Sequence, residues 1–225
     1  TPMNRLLQGD VGAGKTVVAG LCACQAASQG FQSALLAPTE ILASQHATTL
    51  DALLAPFGIS VALLTGSVNG KARDAVLASV KNGETDVLVG THALLQPVVQ
   101  FKKLGFVVID EQHRFGVQQR QDLLEKSNHM PHLLAMTATP IPRSLALTLY
   151  GELDVSIINQ KPKNRLPIHT KIWAPTSRTA LYSAIDNEIA NGRQAYIVCK
   201  LIDNNPMNDT KSVDLEYRNL KNSVF

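Results

Sequence analysis

Lys15 and Thr16 close the octapeptide GDVGAGKT, in which Gly9 and Gly14 take the two fixed glycine positions. This is the G-x-x-x-x-G-K-[ST] spacing of a phosphate-binding loop. Glycines let the main chain wrap closely enough for several N–H groups to face one phosphate. The N-terminus of the helix that follows adds a partial positive charge aimed at the same place. On this reading Gly9, Asp10, Val11, Gly12, Ala13, Gly14, Lys15 and Thr16 bind the nucleotide. Lys15 reaches the β- and γ-phosphates and the Thr16 hydroxyl ligates Mg²⁺, so the expected cofactors are ATP and Mg²⁺. A glycine-rich turn before a surface lysine is the alternative. The strand before the loop and the amphipathic helix after it favour the phosphate reading.

A metal at such a loop needs a carboxylate from a second element. FVVIDEQH, residues 106–113, supplies one: four apolar residues deliver Asp110 to the end of a buried strand, at the carboxyl edge where open α/β sheets bind ligands. Asp110 is the expected second metal ligand. Glu111 is placed to polarise an attacking water as general base. The pair fits a site built for hydrolysis.

The elements that must hold these residues alternate along the chain. Candidate strands are 5–8, 32–37, 60–65, 86–90, 105–110 and 132–137, several of them unbroken apolar runs of the kind covered on both faces. Helix candidates lie near 15–29, 40–55, 70–82, 115–127 and 141–150. Strand and helix repeated in this way predict an α/β fold, a parallel sheet flanked by helices. NQKPKNRLP (159–167) reads as a linker. After it come strand candidates at 168–174 and 193–202, a helix at 177–191 and a helix from Ser212 onward.

The 225 residues, 45% hydrophobic and 17% charged, are those of an ordinary globular protein, and a net charge of +3 is too small to identify a polyanionic partner. No apolar run approaches the roughly 18–20 residues of a membrane span, so no membrane partner is expected. Cys22, Cys24 and Cys199 are odd in number, and the first two face different directions on one helix. Free thiols in a reducing compartment are expected. His46, His129, His132 and His169 show no ligand-like grouping and read as structural or exposed.

DEQH at 110–113 resembles the DExH box of superfamily 2 helicases and translocases. APTEILASQH (37–46), TGSVNG (65–70) and VGTHALLQ (89–96) are similar to motifs Ia, Ib and Ic, and MTATPIPR (136–143) to motif III. QGDVGAGKT, VIDEQHRFGV and MTATPIPR together resemble the RecG family of bacterial branch-migration helicases. The resemblance implies a P-loop NTPase, RecA-like motor lobe over residues 1–158, a linker at 159–167, and the opening part of an incomplete second RecA-like lobe over 168–225. It implies a monomer in the bacterial cytoplasm that couples ATP hydrolysis to remodelling of stalled forks and branched recombination intermediates in DNA repair. Its partner would be DNA, branched or forked duplex and single strand, held through the backbone.

The resemblance also assigns residues. Pro38, Thr39, Gly66, Gly90, Thr91 and His92 would form the DNA track, although Pro-Thr-Glu is also an ordinary helix start. Gln112, Thr137 and Thr139 would couple the nucleotide to the track, and His113 would join the catalytic set of Lys15, Asp110 and Glu111 by bridging to motif III. The transcription-repair coupling factors are the neighbouring family. There the box usually reads Asp-Glu-Glu-His and a cysteine often precedes the first loop glycine, so Gln112 and Gln8 favour the RecG family. A chain that opens on Thr-Pro and stops in a polar stretch reads as a piece of a longer protein. Without a complete second lobe and its arginine finger, it would be a nucleotide-binding module with little activity.

Overall fold

The computed structural model describes residues 2–127, 129–139, 153–160, 167–199 and 212–223. The chain forms two compact units, Thr1–Arg165 and Leu166–Phe225. In the first, strands β1 (Asn4–Gly9), β2 (Gln32–Leu36), β3 (Val61–Leu64), β4 (Val87–Gly90), β5 (Leu104–Ile109), β6 (His132–Thr137) and β7 (Asp154–Ile158) make one 7-stranded sheet in the order β3-β4-β2-β5-β6-β1-β7. Every pairing is parallel. Helices α1 (Lys15–Ser28), α2 (Glu40–Leu54), α3 (Gly70–Asn82) and α4 (Val117–Leu124) connect them.

The strand residues alternate between two cores. Leu35, Val87, Val89, Phe106, Val108, Leu134 and Met136 join Ala19 and Ala23 of α1 and Ala43, Leu50 and Leu54 of α2 on one face. Ala34, Leu36, Leu88, Val107 and Ile109 join Val80 of α3 and Leu123 of α4 on the other. Burial on both faces is why these strands read as continuous apolar runs. Connection direction explains which helix takes which face. From β1 to β2 to β3 the chain steps toward one edge, and from β3 onward it steps back toward the other. Crossovers of one hand must change face when the direction reverses, so α1 and α2 lie opposite α3 and α4. Gly20 makes the α1–α2 contact close, since a Cβ there would stand 2.6 Å from Leu53 Cδ2.

The expected strands of the first unit all form within a residue or so of their expected limits. Strand β7 is an addition. Its Asp154 and Ser156 interrupt the apolar pattern, and it lies at the sheet edge, where Arg5 Nη1 donates to Ser156 Oγ at 2.7 Å and Arg5 Nη2 to Asp154 Oδ2 at 3.2 Å. The helix expected at 141–150 lies outside the described residues.

In the second unit helices α5 (Arg178–Ala190) and α6 (Val213–Ser223) form as expected, and Arg178 Nη2 donates to Glu216 Oε1 at 3.2 Å. The strands expected at 168–174 and 193–202 do not form over 168–174 and 193–199; residues 200–202 lie outside the described residues. Their apolar content is that of strands, but a strand needs a ladder partner, and neither segment has one among the described residues.

Candidate nucleotide and nucleic-acid site

The carboxyl edge of the sheet gathers most of the chemistry. β1 ends in Gly9 and passes into the loop before α1; β5 ends at Ile109 and delivers Asp110. Strand parity then decides where Asp110 points. Phe106 and Val108 face α1 and α2, and Asp110 continues that period of two, its N–H still donating to Leu36 O at 2.9 Å. Ile109 is level with Ala135, and Ala135 with Leu6, so Asp110 comes level with Leu7, two residues short of Gly9. The carboxylate therefore sits about 7 Å lower along the strand direction than the start of the loop, on the face that α1 covers.

The loop itself has the features a phosphate requires. Gly12 and Gly14 adopt φ values of 79° and 97°, a region where L side chains are strained. A Cβ on Gly14 would meet nothing and would project into open space. Gly9 is constrained from the other side, since a Cβ there would lie 3.1 Å from Ile158 Cβ on β7. No side chain caps α1 at Gly14, and the N–H groups of Gly12, Gly14, Lys15 and Thr16 meet no acceptor among the described residues. They remain available to an anion, as expected where a helix start binds phosphate. Lys15 Nζ donates to Gly9 O at 2.7 Å and Asp10 O at 3.1 Å, which keeps the ammonium folded over its own loop. Asp10 Oδ1 accepts from Val11 N at 2.8 Å and shapes the turn.

The donor set suits Mg²⁺ held jointly with phosphate. Thr16 and Asp110 offer oxygen, and the described residues contain no group of three or more His, Cys, Asp or Glu that could cage a metal. Magnesium at phosphate sites usually takes one or two carboxylates and leaves the rest of its shell to water and substrate. Asp110 is buried, and its Oδ2 lies 2.7 Å from His46 Nε2 of α2. The histidines showed no grouping in the sequence, and His46 is the one that the fold brings to the carboxylate.

Glu111 follows in a left-handed backbone conformation, φ 49° and ψ 53°, the only non-glycine residue with positive φ among those described. Its Oε2 lies 3.5 Å from His113 Nδ1. Gln112 is buried, and neither of its amide atoms has a hydrogen-bond partner among the described residues. Buried amides rarely stay unpaired. Thr137 ends β6 and its Oγ1 pairs with Thr139 Oγ1 at 2.9 Å and accepts from Thr139 N at 3.2 Å. The contact recorded for His113 is thus to Glu111, while the two threonines bond each other. Residues 140–143 of the same stretch lie outside the described residues.

The expected track residues divide by burial. Thr39, Gly66 and His92 are exposed, Pro38 is half-buried, and Gly90 and Thr91 are buried. Thr39 caps α2, its Oγ1 accepting from Leu42 N at 3.3 Å. The Thr91 hydroxyl is buried without a partner among the described residues. Gly90 admits no side chain, because a Cβ would fall 2.1 Å from Leu64 O of β3. Between α2 and the end of β3 runs an open groove of 620 Å³ that includes Ser44, Gln45, Thr48, Thr65 and Ser67. Of these only Thr48 lies outside the stretches read as motifs Ia and Ib, and the Glu40 carboxylate lines the same groove.

Comparison with known proteins gives a consistent result. The model of the DEAD/DEAH box helicase family matches residues 2–148. The chain is 48% identical over 221 residues to the ATP-dependent DNA helicase RecG of Aquifex aeolicus, covering 98% of this chain and 28% of that protein. It is 49% identical over 225 residues to the ATP-dependent DNA helicase RecG of Synechocystis sp., covering 100% of this chain and 27% of that protein. The solved structure of RecG bound to a three-way DNA junction aligns with a TM-score of 0.70 at 42% identity, over 85% of this chain and 26% of that one. The chain therefore spans about 28% of the length of the curated relatives it matches.

Proposed function

The chain belongs to the DEAD/DEAH box helicase family and its first unit is a RecA-like lobe; on that premise we propose that it is the ATP-hydrolysing motor segment of a RecG-type DNA helicase. The parent protein would use the motor to remodel stalled forks and branched recombination intermediates. Residues 1–158 would be the ATP-binding lobe, 159–167 a linker, and 168–225 the beginning of the second lobe. The observation that carries the reading is the shared edge and face of the loop and the carboxylate. Gly9 ends β1, Asp110 follows β5, and strand register brings both to the covered side of α1.

The loop N–H groups of Gly12, Gly14, Lys15 and Thr16 would take the β-phosphate, with the α1 dipole behind them. Lys15 would exchange its two carbonyl bonds for phosphate oxygens. Thr16 and Asp110 would hold Mg²⁺, which when bound offsets charge that develops on the phosphates. Glu111, at the mouth of the site and half-buried, would accept a proton from the attacking water. Gln112, Thr137 and Thr139 would report the state of the nucleotide, with His113 joining them to Glu111.

DNA would run across the exposed ends of β2, β3 and β4. Thr39, Gly66 and His92 would meet its backbone directly, and Pro38, Gly90 and Thr91 would shape the main chain beneath. Backbone contacts position nucleic acid without reading sequence, so little base preference is expected. The groove beside α2 carries hydroxyl and amide groups of the kind that bond phosphate and sugar, with the Glu40 carboxylate among its lining.

The test is nucleotide binding and single-turnover hydrolysis by the 225-residue chain, compared with Lys15→Ala and Asp110→Asn. Magnesium-dependent binding of a fluorescent ADP, lost in Lys15→Ala, is expected, with slow hydrolysis at best where an arginine finger from a partner lobe does not complete the site. Absence of nucleotide binding by the unmodified chain would overturn the proposal.

A further inference from the structure

His46 occupies the core-facing stripe of α2, three residues after Ala43 and four before Leu50, both buried. An imidazole at such a position calls for a polar partner. It finds Asp110, with Nε2 2.7 Å from Oδ2 and side-chain exposures of 12% and 11%. An ionised carboxylate can only accept, so the hydrogen of this bond belongs to Nε2. No described residue bonds the other carboxylate oxygen, Oδ1. Asp110 thus reaches the nucleotide edge with one oxygen held by a neighbouring helix and one without a partner among the described residues.

We propose that His46 is a positioning residue for Asp110, fixing Oδ2 through its Nε2–H so that Oδ1 is presented to Mg²⁺ or to a water on it. The proposal rests on Asp110 being the metal carboxylate of the motor reading above. Sheet order makes it possible. α2 leaves the end of β2, and β2 lies beside β5, so the first turns of the helix stand next to the residue that follows β5, while the body of α2 packs on β3 and β4. The same helix opens at Thr39, which ties a proposed track residue and the holder of the metal carboxylate to one rigid element. Hydrogen-bond partners of ligating carboxylates typically govern metal affinity by about 10- to 100-fold.

The experiment titrates Mg²⁺ into the 225-residue chain with a fluorescent ADP, for the unmodified chain, His46→Phe, His46→Gln and Asp110→Asn. His46→Phe keeps ring volume without a donor; His46→Gln keeps an N–H at similar reach. His46→Phe is expected to raise the half-saturating Mg²⁺ concentration at least about 10-fold. Binding measured in EDTA should stay unchanged. His46→Gln should stay within about threefold of the unmodified chain. A structural role for the ring would leave the Mg²⁺ requirement alone and lower only the urea midpoint. A folded His46→Phe with unchanged Mg²⁺ dependence overturns the inference, and so does a folded His46→Gln that behaves like His46→Phe. Binding by the unmodified chain that ignores Mg²⁺, or that ignores Asp110→Asn, overturns the motor reading instead and takes this inference with it.

Discussion

Substitution of Glu111 separates what its backbone costs from what its carboxylate does. The residue sits at φ 49° and ψ 53°, a conformation that costs an L residue roughly 1–2 kcal/mol. Glycine escapes that cost and loses roughly 0.5–1 kcal/mol through its greater freedom in the unfolded chain. Glu111→Gly should therefore be as stable as the unmodified chain or more stable, by up to about 1.5 kcal/mol. Valine branches at Cβ and is a poor occupant of positive φ, so Glu111→Val should lose roughly 1 kcal/mol or more. The gap between the two variants is then about 2 kcal/mol, or about 1 M in urea midpoint at an m-value of about 2 kcal/mol/M. Glu111→Gln keeps side-chain shape, and the 3.5 Å approach to His113 is too loose and too exposed to contribute much. Its midpoint should not move. Its single-turnover hydrolysis should fall by about 10²- to 10⁴-fold with nucleotide binding retained. The measurements are urea unfolding by circular dichroism and single-turnover release of γ-phosphate. Equal midpoints for Glu111→Gly and Glu111→Val at equal m-values would refute the strained backbone. Unchanged hydrolysis in Glu111→Gln would refute the general base.

Gln32 is buried and spends its whole side chain on hydrogen bonds: Nε2 donates to Val80 O and Thr85 O at 2.8 Å, and Oε1 accepts from Lys102 N at 2.8 Å and Lys103 N at 3.0 Å. Val80 O keeps Gly83 N as a second partner, so Gln32→Leu strands the other groups and should cost about 3 kcal/mol. A urea midpoint within about 0.3 M of the unmodified chain would contradict this. Burial pushes the Cys22 thiol above its usual value, leaving less thiolate at a given pH, so alkylation at pH 8 should be several-fold slower in the folded chain than in urea. Raising the pH should narrow the difference, and equal rates at pH 8 would remove the claim. Backbone amides of 168–174 and 193–199, which form no strand, should exchange hydrogen far sooner than those of β2 and β5. Uniform protection across both units would count against that expectation.

The candidate site was legible wherever a residue's placement follows from its immediate neighbours in sequence. GDVGAGKT specifies its own loop, because glycine placement and the start of α1 are local, and the four apolar residues before Asp110 announce a buried strand that ends at a carboxylate. Strand β7 was not legible for the opposite reason. Asp154 and Ser156 break its pattern, and what makes it a strand is β1 beside it, with Arg5 reaching both residues. The segments at 168–174 and 193–199 fail in the same way with the sign reversed, having strand composition and no described ladder partner.

His46 shows most clearly what sequence order hides. It lies 64 positions from Asp110, with β3, α3 and β4 between them in the chain. Sequence order would put the elements nearest β5 on β4, yet β4 pairs with β3 and β2, and β5 pairs with β2 and β6. That permutation brings the start of α2 beside the end of β5, and strand parity turns Asp110 toward it. Neither step follows from local propensity. The face that α2 covers follows from crossovers of a single hand that reverse direction at β3, and the direction of Asp110 from the period of two along β5. An imidazole on the apolar stripe of α2 then becomes informative, because a polar side chain on a core face has to be satisfied. The nearest group able to satisfy it is the carboxylate that the motor reading needs held still.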